Sequence, residues 1–202
     1  WPSFLESIKN AHNPKHEDDL DHQNISKQRL VYDELLANQL SLGLLAKNFE
    51  APTGQSIKKS IKLMDSLYEN IPFELTNSQK VAIKEISEDL ERPIRMIRLL
   101  QGDVGSGKTI VALAAIFQVS GNDKQSAMMA PTELLARQHY ESLKDLCFKS
   151  NINIEILTGK TKRLERERIL DDLKKGKISI VIGTHALFQE KVIFNNLGLV
   201  II

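Results

Sequence analysis

Past Ile71 the chain alternates between two hydrophobic rhythms. Helical spacing runs over 77–90, 108–118, 132–149 and 162–174. Between these lie short apolar runs, Met96–Leu100, Ser126–Ala130, Ile152–Leu157, Ile178–Ile182 and Leu197–Ile202, which read as strands. Strands alternating with helices predict an α/β fold, a mostly parallel sheet covered on both faces. The first seventy residues differ. They predict a short helix around Phe4–Ile8, a loop, and a long helix capped by Ser26 and running to about Leu45. After a break at Ala51-Pro52-Thr53-Gly54, a second helix carries Ile57, Ile61, Met64 and Tyr68 on one face. The expected division is a helical connector, 1–70, followed by an α/β lobe, 71–202.

Composition narrows the function classes. Lys and Arg total 27 against 26 Asp and Glu, a net charge of +1, so any site for a polyanion must be a local cluster. The single cysteine, Cys147, excludes an intramolecular disulfide framework. The longest apolar run, Ile110–Phe117, is too short to span a bilayer. The chain starts at Trp1 and stops within the apolar run Leu199–Ile202, which suggests a piece of a longer protein.

The chemistry concentrates at Gly102-Asp103-Val104-Gly105-Ser106-Gly107-Lys108-Thr109, which satisfies G-x-x-x-x-G-K-[ST] at each fixed position. Glycines let the backbone curl so that several N–H groups converge on phosphate oxygens, and the following helix adds its positive end. Lys108 would reach the β- and γ-phosphates, and the Thr109 hydroxyl would ligate Mg²⁺. A dinucleotide fingerprint fails because Ile110 stands where its third glycine belongs. The loop by itself says only nucleoside triphosphate, and a small-molecule kinase or a non-enzymatic nucleotide-binding module would share it.

Four further segments change that. Phe73-Glu74-Leu75-Thr76-Asn77-Ser78-Gln79 stands upstream of the loop, and its Thr76-x-x-Gln79 is also a capping box for the next helix. In Ala130-Pro131-Thr132-Glu133 a strand ends and a helix begins, leaving backbone N–H groups and a hydroxyl where a DNA phosphate can dock. Thr158-Gly159-Lys160 and Gly183-Thr184-His185 repeat the strand-then-threonine arrangement. In this order around one phosphate loop, they resemble the superfamily 2 helicases. That resemblance makes Gln79 an adenine reader with Phe73 stacking on the ring. It makes Pro131, Thr132, Glu133, Thr158, Gly159, Lys160, Thr184 and His185 DNA contacts.

Longer stretches, Arg98–Thr109, Met129–Ala136 with Gln138-His139-Tyr140, Arg29–Leu40 and Trp1–Glu6, are similar to the RecG family of ATP-dependent DNA helicases. Ser78, Ser106 and Glu133 distinguish it from the related transcription-repair coupling translocases. The resemblance implies a RecA-like P-loop lobe, ATP and Mg²⁺ as cofactors, branched or duplex DNA as partner, a monomer, and the bacterial cytoplasm. ATP hydrolysis would drive branch migration and fork regression. The superfamily's Asp-Glu-x-His box would follow Ile202, so the piece itself is expected to be inactive. Other features stay structural in expectation. The basic run from Lys160 to Lys177, diluted by Glu165, Glu167, Asp171 and Asp172, is a solvated helix face. Cys147 is a core thiol, and Pro14 spoils the His12/His16 spacing for a metal.

Overall fold

The computed structural model describes residues 1–21, 23–49 and 54–202. Its backbone contacts divide the chain into two units, Trp1–Ala51 and Pro52–Ile202. In the first, helix α1 (Phe4–His12) packs on α2 (Ile25–Phe49), with a 3-10 turn at Glu17–Leu20 between them. Asn24 takes the capping role expected of Ser26, its Oδ1 accepting from Ser26 N at 2.9 Å. Ser26 is instead buried, and its hydroxyl accepts from Asn10 Nδ2 at 3.2 Å. Of the expected break, only Gly54 lies within the described residues.

The second unit contains helices α3 (Ile61–Asn70), α4 (Asn77–Glu91), α5 (Lys108–Ser120), α6 (Glu133–Lys149) and α7 (Arg163–Lys174). Its strands are β1 (Gln125–Met129), β2 (Ile154–Leu157), β3 (Ile180–Gly183) and β4 (Leu197–Ile201). They form one sheet in the order β2-β3-β1-β4, parallel at each pairing. The chain steps from β1 to β2 in one direction and returns to β3 in the other. Right-handed crossovers therefore place α6 and α7 on opposite faces. Alternation within the strands serves both layers. Met128, Ile180 and Ile182 face the helices α3 to α6, whereas Ala127, Leu157 and Val181 pack with Ile169 and Leu173 of α7.

Two expectations differ from the structure. The 1–70 segment is not one packing unit, because α3 lies on α5 and α6 with Met64 and Leu67 buried. Nor is its buried face Ile57–Ile61–Met64–Tyr68: residues 54–60 are not helical, so helical spacing does not apply to Ile57, and Ile61 is exposed. The second difference is Met96–Leu100, expected as the strand entering the phosphate loop. It pairs with no strand among the described residues. It keeps a strand's alternation, with Met96 and Leu100 packed on the core while Ile97 and Leu99 are 70% and 86% exposed. An apolar run supplies the pattern of a strand, but a ladder needs a partner edge. Here the exposed Arg98 is ion-paired with α4 instead.

Candidate functional site

The phosphate loop begins in that extended segment and ends at the first turn of α5. Gly105 and Gly107 take φ of +82° and +81°, a left-handed conformation costly for other residues. The resulting curl leaves the N–H groups of Gly105, Gly107, Lys108 and Thr109 without backbone acceptors among the described residues. Four unpaired donors at a helix start suit a phosphate. The Lys108 ammonium lies over the same loop, donating to the carbonyls of Gly102 and Asp103 at 2.7 Å each. Thr109 is half-buried beside it. These residues fit a nucleoside triphosphate with Mg²⁺: the amides and Lys108 for phosphate oxygens, the Thr109 hydroxyl for the metal.

Gln79 reaches this loop from the start of α4. Thr76 and Gln79 make the reciprocal capping box, Thr76 N donating to Gln79 Oε1 at 2.9 Å and Gln79 N to Thr76 Oγ1 at 3.3 Å. The remaining amide end donates from Nε2 to the Ser106 carbonyl at 2.9 Å. The cap of α4 and a hydrogen bond to the glycine-rich loop therefore meet in one side chain. A carboxamide oxygen accepts twice and its NH₂ donates twice, so each end keeps capacity for an adenine edge. Phe73 is exposed nearby in sequence, consistent with an open ring face.

The DNA-contact candidates emerge together at one edge of the sheet. Met129, Gly183 and Leu157 lie in register across β1, β3 and β2. Each is followed by candidate residues, Pro131-Thr132, Thr184-His185 and Thr158-Gly159. Gly183 makes that closeness possible, since a Cβ there would collide with the Leu157 carbonyl oxygen. The turn 121–124 reverses the chain from α5 into β1, so the start of α5 lies at this carboxyl edge too. Ligands of open α/β sheets bind at this edge.

Side-chain placement sorts the candidates. Pro131, Thr132, Gly159, Lys160 and His185 are exposed. Thr158 and Thr184 are buried, so Thr158 presents chiefly backbone, and its hydroxyl has no partner among the described residues. Thr132 caps α6, accepting from Leu135 N at 3.3 Å. Glu133 sits between Arg137 at 3.0 Å and Lys160 at 3.5 Å, and the Arg137 hydrogen bond, followed by Lys160, holds its carboxyl below the usual range. The basic run is largely paired: Arg163 with Glu167, Arg168 with Glu155 and Asp172, Lys175 with Asp171, and Lys177 with Asp172. Cys147 is fully buried, and burial pushes its thiol up to about 12.

Two features escaped the sequence. Exposed Leu134, Leu164 and Phe188 follow in the chain after the three strand ends, which the register sets side by side. Arg98, part of a similarity stretch, turns out to be ion-paired with α4.

Known proteins share this arrangement. The chain is 40% identical, over its whole length, to the ATP-dependent DNA helicase RecG of Aquifex aeolicus, of which it covers 26%. It is 44% identical over 96% of its length to that of Staphylococcus epidermidis, covering 28% of that protein. It therefore spans about a quarter of the length of the curated relatives it matches. A solved structure of RecG bound to a three-way DNA junction superposes with a TM-score of 0.78 at 41% identity, covering 99% of this chain and 28% of that one. The DEAD/DEAH box helicase family matches residues 76–202, from the cap of α4 through β4. Because that match takes in the phosphate loop, the strand ends and well over half the residues, the chain belongs to the DEAD/DEAH box helicases.

Proposed function

We propose that this chain is the nucleotide-binding motor lobe, with its connector, of a RecG-type ATP-dependent DNA helicase. Gly102–Thr109 takes ATP with Mg²⁺ at Thr109, and Gln79 and Phe73 read the base. Pro131, Thr132, Glu133, Gly159, Lys160 and His185 face branched or duplex DNA, with Thr158 and Thr184 buried at the same strand ends and contributing chiefly backbone. ATP hydrolysis supplies the free energy for translocation when the nucleotide is bound. The protein works as a monomer in the bacterial cytoplasm, regressing forks and migrating branches.

The observation that carries this reading is the register of Met129, Leu157 and Gly183. It sets three backbone-rich turns side by side, on the edge where α5 begins. A small-molecule kinase needs the phosphate loop but not this row of turns. Phosphate release by the full-length gene product, with and without branched DNA, tests the proposal. Stimulation by DNA and indifference to small metabolites is the expected result; the reverse would favour a kinase.

A further inference from the structure

In the segment Met96–Leu100, Met96, Arg98 and Leu100 alternate with the exposed Ile97 and Leu99; Met96 and Leu100 pack on the core, while Arg98 is exposed and ion-paired with α4. Arg98 Nε and Nη2 donate to Asp89 Oδ2 at 2.9 and 2.6 Å, and Nη1 donates to Glu85 Oε2 at 2.7 Å. Both carboxylates belong to α4, one helical turn apart, so the planar fork fits where an ammonium would reach fewer acceptors. The opposite end of α4 carries Gln79, whose Nε2 holds the Ser106 carbonyl. One helix thus grips the phosphate loop twice, on its lead-in through Arg98 and on its far limb through Gln79.

We propose that Arg98 is a positioning residue for nucleotide binding. Acting through Glu85 and Asp89, it sets the entry of the phosphate loop relative to α4, and so aligns the loop amides and Lys108 with the base site at Gln79. This rests on the phosphate-loop reading above.

The test titrates a fluorescent ATP analogue against this chain and its variants, with melting temperature followed in parallel. Arg98→Ala should weaken affinity roughly tenfold, as misplaced binding groups do. Its melting temperature should stay near wild type, because partly exposed ion pairs contribute little to stability. Arg98→Lys should fall between the two. The exchanged pair Arg98→Asp with Asp89→Arg should recover most of the affinity; a merely structural role would instead move affinity and melting temperature together. Wild-type affinity in Arg98→Ala, a loss that tracks unfolding, or an exchanged pair as weak as Arg98→Ala would overturn the proposal. Lys108→Ala separates the two levels. If it binds as wild type, or if wild type does not bind, the phosphate-loop reading itself fails and this inference fails with it.

Discussion

Gln79 Nε2 donates to the carbonyl of Ser106 at 2.9 Å, so the residue that caps α4 also touches the loop expected to hold phosphate. Its carboxamide has one spare acceptor site and one spare donor, the complement of adenine's edge, and guanine presents the opposite pattern. ATP analogues should therefore bind more tightly than GTP analogues, by roughly 1–3 kcal/mol if the pairing resembles amide readout of adenine in DNA. Competition titrations measure this. Equal affinities with Gln79 intact would leave the side chain as a cap and loop strap only.

Gly107→Ala should be damaging for two separable reasons. Its φ of +81° is strained for a residue with a side chain, at about 1–3 kcal/mol. The added Cβ would also push aside Gln79 Nε2, the free end of a flexible side chain, and so break its hydrogen bond to the Ser106 carbonyl. A lower melting temperature is expected together with weakened nucleotide binding. In a Gln79→Ala background the steric part should vanish while the conformational part persists. Additive losses in the double variant would show that the two residues are not coupled.

Much of this site was legible from the sequence, and the reasons are physical. The glycines, Lys108 and Thr109 are set by local backbone demands that a motif records directly. The helices from Asn77 onward keep an apolar rhythm that packing then uses. What pattern could not supply was partnership. Met96–Leu100 has a strand's alternation, yet only three-dimensional neighbours decide whether an edge receives it. Ile57 stands at helical spacing from Ile61 but outside the helix, in a non-helical segment that carries it into the core. Arg98 looks like a surface cation until Glu85 and Asp89 are seen one turn apart on α4.

On the proposed function, the strand-end face takes DNA and the phosphate loop takes ATP. Thr184→Val keeps the shape of a buried side chain while removing its hydroxyl, and Thr132→Ala removes both a hydroxyl and the α6 cap. The cap loss should cost about 1 kcal/mol of stability, so Thr132→Ser serves as the variant that retains it. In the full-length gene product, Thr132→Ala and Thr184→Val should weaken DNA binding with ATP affinity nearly unchanged. Gel-shift and nucleotide titrations decide; lost ATP affinity with normal DNA binding would put these residues on the wrong surface.

Cys147 predicts an alkaline limit to stability. Burial raises its thiol to about 12 in the folded chain, above the value near 8.5 expected when unfolded. The neutral form is favoured in the fold, so this contribution is fully present below about pH 8.5 and is lost as pH rises toward 12. Over that window the wild-type stability should fall by up to about 1.4 kcal/mol per pH unit relative to Cys147→Ala. Denaturant melts at intervals from pH 7 to 11 measure the difference. The native thiol should also resist alkylation, reacting only on unfolding; parallel pH curves would show that the thiol is not shielded.

The most direct measurement is DNA-stimulated phosphate release by the full-length gene product, with Lys108→Ala beside wild type. Lys108 projects from the start of α5 onto the carbonyls of Gly102 and Asp103 and carries no core packing. Branched DNA should stimulate wild-type hydrolysis, and Lys108→Ala should abolish hydrolysis while binding the same DNA and melting at the same temperature. Hydrolysis that ignores DNA, or that survives the loss of Lys108, would contradict the account of this lobe as a DNA-driven ATP motor.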